Sequence, residues 1–565
     1  MDEKNRSGSA SSGKSFVAEA AIISVSNFAV KLVGVLFKIP LANILGSYMG
    51  IFNAAYSIYA MLFTVSTSGL PVAVSKLVAA AAERGRRREA DKVFRTCAAV
   101  FGSIGLTCSL IMFFGAERIC AATNHSGAEY AMRVIAPTLF VICITASIRG
   151  YFQGLRNMYP TAISNFIEAF LKLVLGLGGV VFARHMGWSG PVQAAFAVSG
   201  ITVGVIVGTV FLAFCKKKRG GRDIPSTDRR VSRYRTIAAS AMKVAVPVTL
   251  AASALYFSTF FDTVAINNRL IASGFTESAA DSLYTAYTTL AISISDLVPS
   301  TLVYPIALSI LPAMTAALTG GRRREVRGYI RSSIRISAII AIPSAFGLAA
   351  LARPVIKMIY FNSLPDPITL LDGSTVMPID VGVKSLCLLS AGILFLSLLS
   401  TTNSLLHSYG KSFTPVASIG VGILLLIVAE TILVSIPAVG IYGAPIASLL
   451  CYFTATVLNM RAVRRISGMR LSPFYLYGKP FICGALCGIA AYGAYRLASL
   501  FIAETSRIAC ALLFVCGLIP GILVYVGSML AFRGITASEI RLLPGGGRFA
   551  SLLIKMRLLK ENEVK

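Results

Sequence analysis

Apolar stretches of about 20 residues, separated by short polar connections, run through almost the whole chain. An α-helix of that length crosses the hydrocarbon core of a bilayer. Only 14% of the residues are charged, against about 25% in soluble domains. The sequence therefore predicts an all-α integral membrane protein with about 14 transmembrane helices. Numbered as spans one to fourteen, these helices cover approximately residues 17–40, 48–72, 93–116, 130–152, 160–184, 191–215, 237–262, 283–310, 331–352, 383–408, 413–436, 443–461, 479–500 and 507–532.

Lysine and arginine are concentrated in alternate connections between the spans. Residues 84–92 hold five of them and residues 216–235 hold nine, whereas residues 41–47 and 437–442 hold none. Because basic loops stay on the cytoplasmic side of a membrane, this asymmetry predicts a multi-pass protein with both termini in the cytoplasm. The net charge of +29 then reflects membrane orientation and does not indicate a nucleic-acid partner.

A weak internal repeat links the two halves of the chain. Residues 68–89 and 309–325 share Leu-Pro, an Ala-rich turn and Gly-Arg-Arg-Arg-Glu, and residues 153–164 resemble 407–418. Parallel repeats of this kind are typical of transporters with a site between two lobes, although basic loops also converge on similar sequences. The predicted segments are a disordered cytoplasmic tail (1–15), a six-helix N-lobe (16–236), a six-helix C-lobe (237–465), two further helices (466–535) and a basic cytoplasmic tail (536–565).

Charged and amide side chains on span one are the first candidates for a functional site. Asn27, Lys31, Gly34 and Lys38 follow at intervals of four, three and four residues, which places them on one helix face. A charge deep in the membrane costs at least about 2.5 kcal/mol, so that face is predicted to line a wet cavity that binds an anionic substrate. The alternative is that the lysines reach the interface or form an ion pair. Asn53 on span two is a further candidate for hydrogen bonding to substrate, or else a helix-packing residue.

Three other spans carry acidic groups that are candidates for coupling or gating. Glu168 and Lys172 on span five have the four-residue spacing of a helical ion pair, which is either structural or a proton or cation switch. Asp296 lies near the middle of span eight, where a contact with Lys31 is either a fixed structural pair or a gate that opens when substrate phosphate competes for the lysine. Glu430 on span eleven is a weaker candidate.

The residues do not indicate an enzyme, a metal site or a cofactor site. Residues 8–15 match the phosphate-loop pattern GxxxxGK(S/T), but a short polar stretch precedes them and a membrane span follows, instead of the strand and helix that such a loop needs. The eleven cysteines are scattered without a CxxC pair, and the three histidines lie far apart in the sequence. No nucleophile–base pair or carboxylate dyad is evident. We therefore expect no cofactor, with transport coupled instead to H⁺, Na⁺ or the membrane potential.

Three segments resemble a known family: RGYFQGLRNMYPTAISNFIEAFLKLVLGL (149–177), SGLPVAVSKLVA (68–79) and VGIYGAPIASLLCY (439–452). They are similar to the MurJ-type branch, with its stage V sporulation protein B-like members, of the multidrug/oligosaccharidyl-lipid/polysaccharide exporter superfamily. The resemblance implies two lobes that alternate access, and a lipid II-like polyprenyl-diphosphate sugar for cell wall or spore cortex as substrate. It also implies a bacterial plasma membrane and cell-wall synthesis enzymes as partners.

The resemblance bears on individual residues too. In that branch, basic residues of span one line the cavity, and Lys31 and Lys38 fall near those positions. Its lipid II flippases also carry an arginine in span eight, where this chain has Asp296 and no arginine. Two other functions remain open at this stage: a cation-coupled multidrug efflux transporter, and a non-transporting scaffold for envelope synthesis.

Overall fold

The computed structural model describes residues 29–30, 33–34, 36–155, 157–219, 232–361, 366–371, 373–411, 413–469, 472, 474–532 and 534. Contacts divide the chain into two compact units, Met1–Asn268 and Arg269–Lys565. Within the described ranges, eleven helices are long and apolar enough to cross a membrane. The predicted all-α membrane architecture is therefore confirmed.

The α-helices are labelled in chain order, and residues 36–45 form a helical stretch ahead of them. They are α1 (Met49–Thr67), α2 (Leu70–Glu83), α3 (Arg87–Thr123), α4 (Ala128–Gly154), α5 (Tyr159–His185), α6 (Gly190–Arg219), α7 (Tyr234–Ala272), α8 (Glu277–Thr285), α9 (Tyr304–Thr319), α10 (Arg323–Ala350), α11 (Ala352–Tyr360), α12 (Pro378–Ser408), α13 (Phe413–Val434), α14 (Gly443–Ser467), α15 (Lys479–Ser499) and α16 (Arg507–Ala531). Two short antiparallel strands, β1 (Ile368–Thr369) and β2 (Thr375–Val376), pair between α11 and α12.

Helices α5 and α6 of the first unit approach each other closely at glycines. A Cβ built on Gly200 of α6 would lie 2.4 Å from the backbone nitrogen of Gly176 on α5. Small residues allow such close backbone approach, which is a common way to pack helices in a membrane. This contact fixes the position of α5, whose side chains line the cavity described below.

The substitution Gly200→Ala is expected to lower the stability of the protein by about 1–3 kcal/mol, because the added methyl group meets backbone atoms that cannot rotate away. Gly178→Ala on α5 is the matched control, since a Cβ there meets no atom within 4 Å. Alanine also favours the helix over glycine, so the control should be neutral or stabilising. Thermal unfolding of both variants in the same detergent measures the difference. Equal melting temperatures would contradict the close packing.

Two asparagines of α7 cap the C-terminal end of α3. Asn268 Nδ2 donates to the carbonyl of Ala122 at 3.0 Å, and Asn267 Nδ2 donates to the carbonyl of Asn124 at 3.1 Å. Asn124 has a left-handed backbone (φ 50°) and returns a hydrogen bond from Nδ2 to Asn268 Oδ1 at 2.6 Å. Helix C-termini leave carbonyls without intrahelical partners, so these bonds hold the end of α7 within the first unit.

The turn after α3 also buries a histidine. His125 is 1% exposed, with Nδ1 2.8 Å from the carbonyl of Thr123 and Nε2 3.4 Å from Asn267 Nδ2. Nδ1–H therefore donates to the carbonyl, and Nε2 faces the amide donor. Burial lowers the pKa of His125 from 6.5 to about 4.

This shift predicts a pH dependence of stability. The folded state keeps His125 neutral, whereas the unfolded chain binds a proton below about pH 6.5, so stability falls as the pH drops from about 6.5 towards about 4. The loss contributed by this residue approaches about 3 kcal/mol at the acid end. Melting temperatures of the wild type and His125→Gln, followed from pH 7 to pH 4.5, isolate the effect because other titrating groups are shared. Parallel curves would contradict it.

The second unit is built around α12, which packs against α10 and α14. Ser337 Oγ and Thr401 Oγ1 are 2.6 Å apart between α10 and α12, and Asn459 Nδ2 of α14 donates to Asn403 Oδ1 at 2.7 Å. Helix α15 packs on α10, where a Cβ on Gly484 would lie 2.7 Å from Ile342 Cγ2. The last two helices are thus part of this unit.

The segment predicted as span eight is helical, but it is not one regular α-helix. The segment consists of α8, a π-helix over Ala286–Ile292, a short α-helical piece Ser293–Ser295, a turn at Asp296, and a second π-helix over Pro299–Val303 before α9. Proline lacks the amide hydrogen that continues an α-helix, and Pro299 begins the second π-helix. Asp296 lies at the turn between the helical pieces, and it is exposed among the described residues.

Candidate functional site

A cavity of about 310 Å³ lies inside the first unit. Its polar wall is formed by Arg149 of α4 and by Asn165, Glu168 and Lys172 of α5. Its apolar wall includes side chains of α1 and α6, and Tyr256 of α7 also contributes. Charged groups in a membrane-spanning region are rare and are usually functional, so this cavity is the strongest candidate site among the described residues.

One face of α5 supplies the polar groups. Ser164, Glu168 and Lys172 follow each other at four-residue intervals and therefore lie on the same side of the helix. Lys172 is 13 residues from the start of α5 at Tyr159, about 20 Å along the axis and near the middle of the helix. The spacing of the sequence thus brings two opposite charges, Glu168 and Lys172, into one cavity wall, and it places the Ser164 hydroxyl one turn before Glu168.

Glu168 is held by Arg149 from the neighbouring helix. Arg149 Nη2 donates to Glu168 Oε1 at 2.5 Å and to Ser164 Oγ at 3.0 Å, while Ser164 Oγ donates to the same carboxylate oxygen at 3.2 Å. The two charged side chains are only 16% and 18% exposed. Hydrogen bonds between an arginine and a carboxylate are among the stronger ones that side chains make.

A glycine of α6 makes room for the carboxylate. A Cβ on Gly208 would lie 2.7 Å from Glu168 Oε1 and 2.9 Å from its Cγ, and a Cβ on Gly204 would lie 2.9 Å from the backbone oxygen of Glu168. Glu168 therefore sits in a notch between α4, α5 and α6. Its position is fixed by three helices and not by its own helix alone.

The ammonium group of Lys172 lies over aromatic rings. Its Nζ is 4.7 Å from the ring centroid of Phe37 and 5.4 Å from that of Tyr56. Tyr56 is itself stacked on Phe52, with centroids 5.8 Å apart and ring planes 8° from parallel. A cation over aromatic faces gains about 0.5–2 kcal/mol, less than a buried charge loses by leaving water.

The structure does not show the structural ion pair predicted between Glu168 and Lys172, and the alternative of a proton or cation switch stays a prediction. Glu168 binds Arg149 instead, and the ion pairs found among the described residues include none with Lys172. The four-residue spacing allows a helical pair, but the guanidinium of Arg149 offers several donors to the carboxylate of Glu168. The ammonium group of Lys172 lies over the faces of two aromatic rings instead. The site therefore contains a neutralised arginine and a lysine without a carboxylate partner in the described part of the chain.

The span-one residues are described only in part. Asn27 and Lys31 lie outside the described residues, so their binding roles and the Lys31–Asp296 gate stay predictions. Gly34, which belongs to the same predicted face, lines the cavity together with Val30 and Val33. Lys38 is half-buried and is absent from the cavity wall.

The remaining predicted residues lie away from this cavity wall or in the other unit. Asn53 is buried in α1 at 8% exposure and does not line the cavity, which favours its packing alternative. Glu430 is buried in α13 of the second unit at 1% exposure. The groups searched among the described residues include no cluster of three His, Cys, Asp or Glu side chains that would hold a metal ion.

Arg149 and Tyr256 are residues of the site that the sequence did not single out. Arg149 lies within the apolar stretch of span four, and a charged residue inside a predicted span is a sign of a functional site. It stands only five residues before the end of α4 at Gly154, a position that also suits a side chain reaching the membrane surface.

Comparisons with known proteins agree with this architecture. The chain is 22% identical to the lipid II flippase MurJ of Bacillus subtilis (strain 168), over 79% of this chain and 82% of that protein. It is also 22% identical to stage V sporulation protein B of the same organism, over 95% of this chain and 99% of that protein.

Two solved structures share the fold. One is the lipid II flippase MurJ in an inward closed conformation, with a TM-score of 0.63, 15% identity, and coverage of 90% of this chain and 98% of that chain. The other is an inward-facing multidrug resistance MATE family transporter of the MOP superfamily, with a TM-score of 0.62, 18% identity, and coverage of 77% and 94%. These likenesses confirm the fold indicated by the sequence motifs.

The family model for polysaccharide biosynthesis proteins matches residues 16–318. This range is more than half of the chain and includes every residue of the cavity wall described above. The chain therefore belongs to the polysaccharide biosynthesis protein family.

Proposed function

We propose that this protein is a flippase that carries a lipid-linked sugar with an anionic diphosphate across a bacterial plasma membrane by alternating access. The observation that carries the proposal is the cavity between membrane-spanning helices with Lys172 and Arg149 on its wall, where Glu168 is the one acidic side chain among the described lining residues. Similarity to a protein named as a lipid II flippase supports a lipid II-like cargo for cell wall or spore cortex. Flippases and transporters are not enzymes, and this chain is of that class.

The chemistry of the cargo explains why such a cavity is needed. A diphosphate and its sugars lose their hydrogen bonds to water in hydrocarbon, which costs too much for unaided crossing. The isoprenoid tail has no such cost and can stay in lipid. The protein has to supply a polar cavity with positive charge, and lysine binds phosphate well as a compact point charge. No bond of the cargo has to be made or broken.

The charge of the cavity also bears on the alternative of drug efflux. Cationic drugs would meet two positive side chains and one carboxylate, which disfavours their binding at this wall. The same charge favours an anionic head group. Coupling to H⁺, Na⁺ or the membrane potential, contacts with cell-wall synthesis enzymes, and cytoplasmic termini remain part of the proposal.

Reconstitution in vesicles tests the function. A fluorescent polyprenyl-diphosphate sugar is placed in both leaflets of proteoliposomes, and a membrane-impermeant quencher reports how fast the inner pool reaches the outside, with and without ion gradients. We expect loss of the protected pool in vesicles that contain the protein and not in protein-free vesicles. Accumulation of a cationic dye without lipid movement would favour efflux instead, and movement of neither would favour a scaffold.

A further inference from the structure

We propose that Glu168 is a built-in competitor of the substrate, occupying Arg149 until the anionic group of the cargo takes its place. This inference rests on the proposed function, because it assigns the regulation of the same cavity. It makes Glu168 a specificity-determining residue: a ligand has to bind Arg149 more strongly than a carboxylate that is already present.

The geometry of the pair supports this role. Glu168 approaches Arg149 through a single nitrogen, Nη2, which also donates to Ser164. Arg149 Nε is buried and has no hydrogen-bond partner among the described residues. A guanidinium presents donors in a planar fork that suits two oxygens of a phosphate. The present pairing therefore leaves some N–H donors of the guanidinium without an acceptor, and a phosphate is able to accept hydrogen bonds from more of these donors than this carboxylate does.

Two neighbouring residues, Gly208 and Ser164, accommodate the carboxylate of Glu168. Gly208 provides a notch that any larger residue would fill, since a Cβ there would lie 2.7 Å from Glu168 Oε1. Ser164 Oγ also donates to the carboxylate, at 3.2 Å. When Arg149 turns to a ligand, this hydroxyl remains as a hydrogen-bond donor to Glu168. The carboxylate thus keeps one contact while it gives up the arginine.

Lys172 completes the arrangement. It lines the same cavity four residues along α5, with its ammonium over the rings of Phe37 and Tyr56 and no ion pair in the described part of the chain. A ligand with one negative charge is able to pair with Lys172, but it then has to compete with Glu168 for Arg149. A diphosphate carries enough charge to bind Lys172 and to displace Glu168 from Arg149. The competitor therefore favours a diphosphate over a monoanionic ligand.

The variant Glu168→Gln tests this inference in the full-length protein in detergent. Glutamine fits the notch in place of glutamate but carries no charge. We expect geranyl diphosphate to bind about tenfold more tightly than to the wild type, and geranyl methyl phosphate, a phosphodiester with a single negative charge, to gain more than that, so that discrimination between the two falls. Titration calorimetry with both ligands measures the ratio.

The control is Glu117→Gln, which removes the carboxylate of an arginine–glutamate pair at the protein surface. Arg133 Nη2 and Glu117 Oε1 are 2.5 Å apart, with Glu117 73% exposed, and this pair is not in the cavity wall. It should leave both affinities unchanged. Ser164→Ala is a second test, because this hydroxyl is the donor that stays on Glu168 after Arg149 has turned to the ligand; its loss should weaken diphosphate binding two- to threefold.

The outcomes separate the two proposals. Diphosphate binding that is lost in Lys172→Met, but is neither tightened by Glu168→Gln nor weakened by Ser164→Ala, would overturn the competitor role and leave the flippase proposal standing. Absence of diphosphate binding in the wild type would overturn the flippase proposal itself. Tighter binding in Glu168→Gln with unchanged discrimination would show that Glu168 opposes anions in general and would overturn its role in specificity.

Discussion

Replacement of Lys172 by methionine is expected to reduce lipid transport at least about 100-fold. A close contact between opposite charges in a low-dielectric site contributes about 2–5 kcal/mol, and about 3 kcal/mol corresponds to two orders of magnitude. Methionine keeps the length and packing of the side chain against Phe37 and Tyr56 but not its charge. The rate of lipid movement in the vesicle assay measures the effect.

The same variant should not be less stable than the wild type. A charge inside the membrane costs at least about 2.5 kcal/mol, so removing it relieves the folded state of that cost. Lys76→Met is the matched control, since Lys76 is exposed on α2 and is not in the cavity wall. A Lys172→Met protein that melts normally and transports at the wild-type rate would contradict the assigned role of this lysine.

The second large effect concerns stability. Arg149→Met is expected to destabilise the protein by about 3–5 kcal/mol, because it leaves the carboxylate of Glu168 in the notch beside Gly208 without its cation. The double variant Arg149→Met/Glu168→Gln should recover more than half of that loss, because the uncompensated charge is gone. Thermal unfolding of the single and double variants in one detergent gives the coupling between the two residues.

An exposed arginine provides the reference for that measurement. Arg133→Met breaks the surface pair with Glu117 and should cost less than about 1 kcal/mol, as exposed ion pairs contribute little. If Arg149→Met destabilises no more than Arg133→Met, or if Glu168→Gln does not rescue it, the buried pair does not hold the three helices together as described.

Much of the fold follows from the sequence because the membrane restricts what a chain can do. Backbone groups in hydrocarbon must be satisfied within each segment, so long apolar stretches become helices whatever their neighbours are. Span eight shows the limit of that rule. Its prolines are visible in the sequence, but the π-helices over Ala286–Ile292 and Pro299–Val303 depend on packing inside the second unit.

The site was only partly predictable, because its contacts join several helices. The periodicity of α5 correctly puts Glu168 and Lys172 on one face, because that depends on a single helix. Their partners depend on which helices lie beside α5. Arg149 on α4, Gly208 on α6 and the ring of Phe37 come from three other segments, and their register against α5 cannot be read from spacing within one helix.

The most direct test of the central claim is to locate the bound diphosphate. A short prenyl diphosphate with a diazirine on the carbon next to the phosphate is photolysed in the presence of the purified protein, and the labelled peptides are identified by mass spectrometry. We expect label on α5 or on the neighbouring helices α1 and α4, competed by unlabelled geranyl diphosphate and lost in Lys172→Met. Label confined to the second unit, or label that Lys172→Met leaves unchanged, would contradict it.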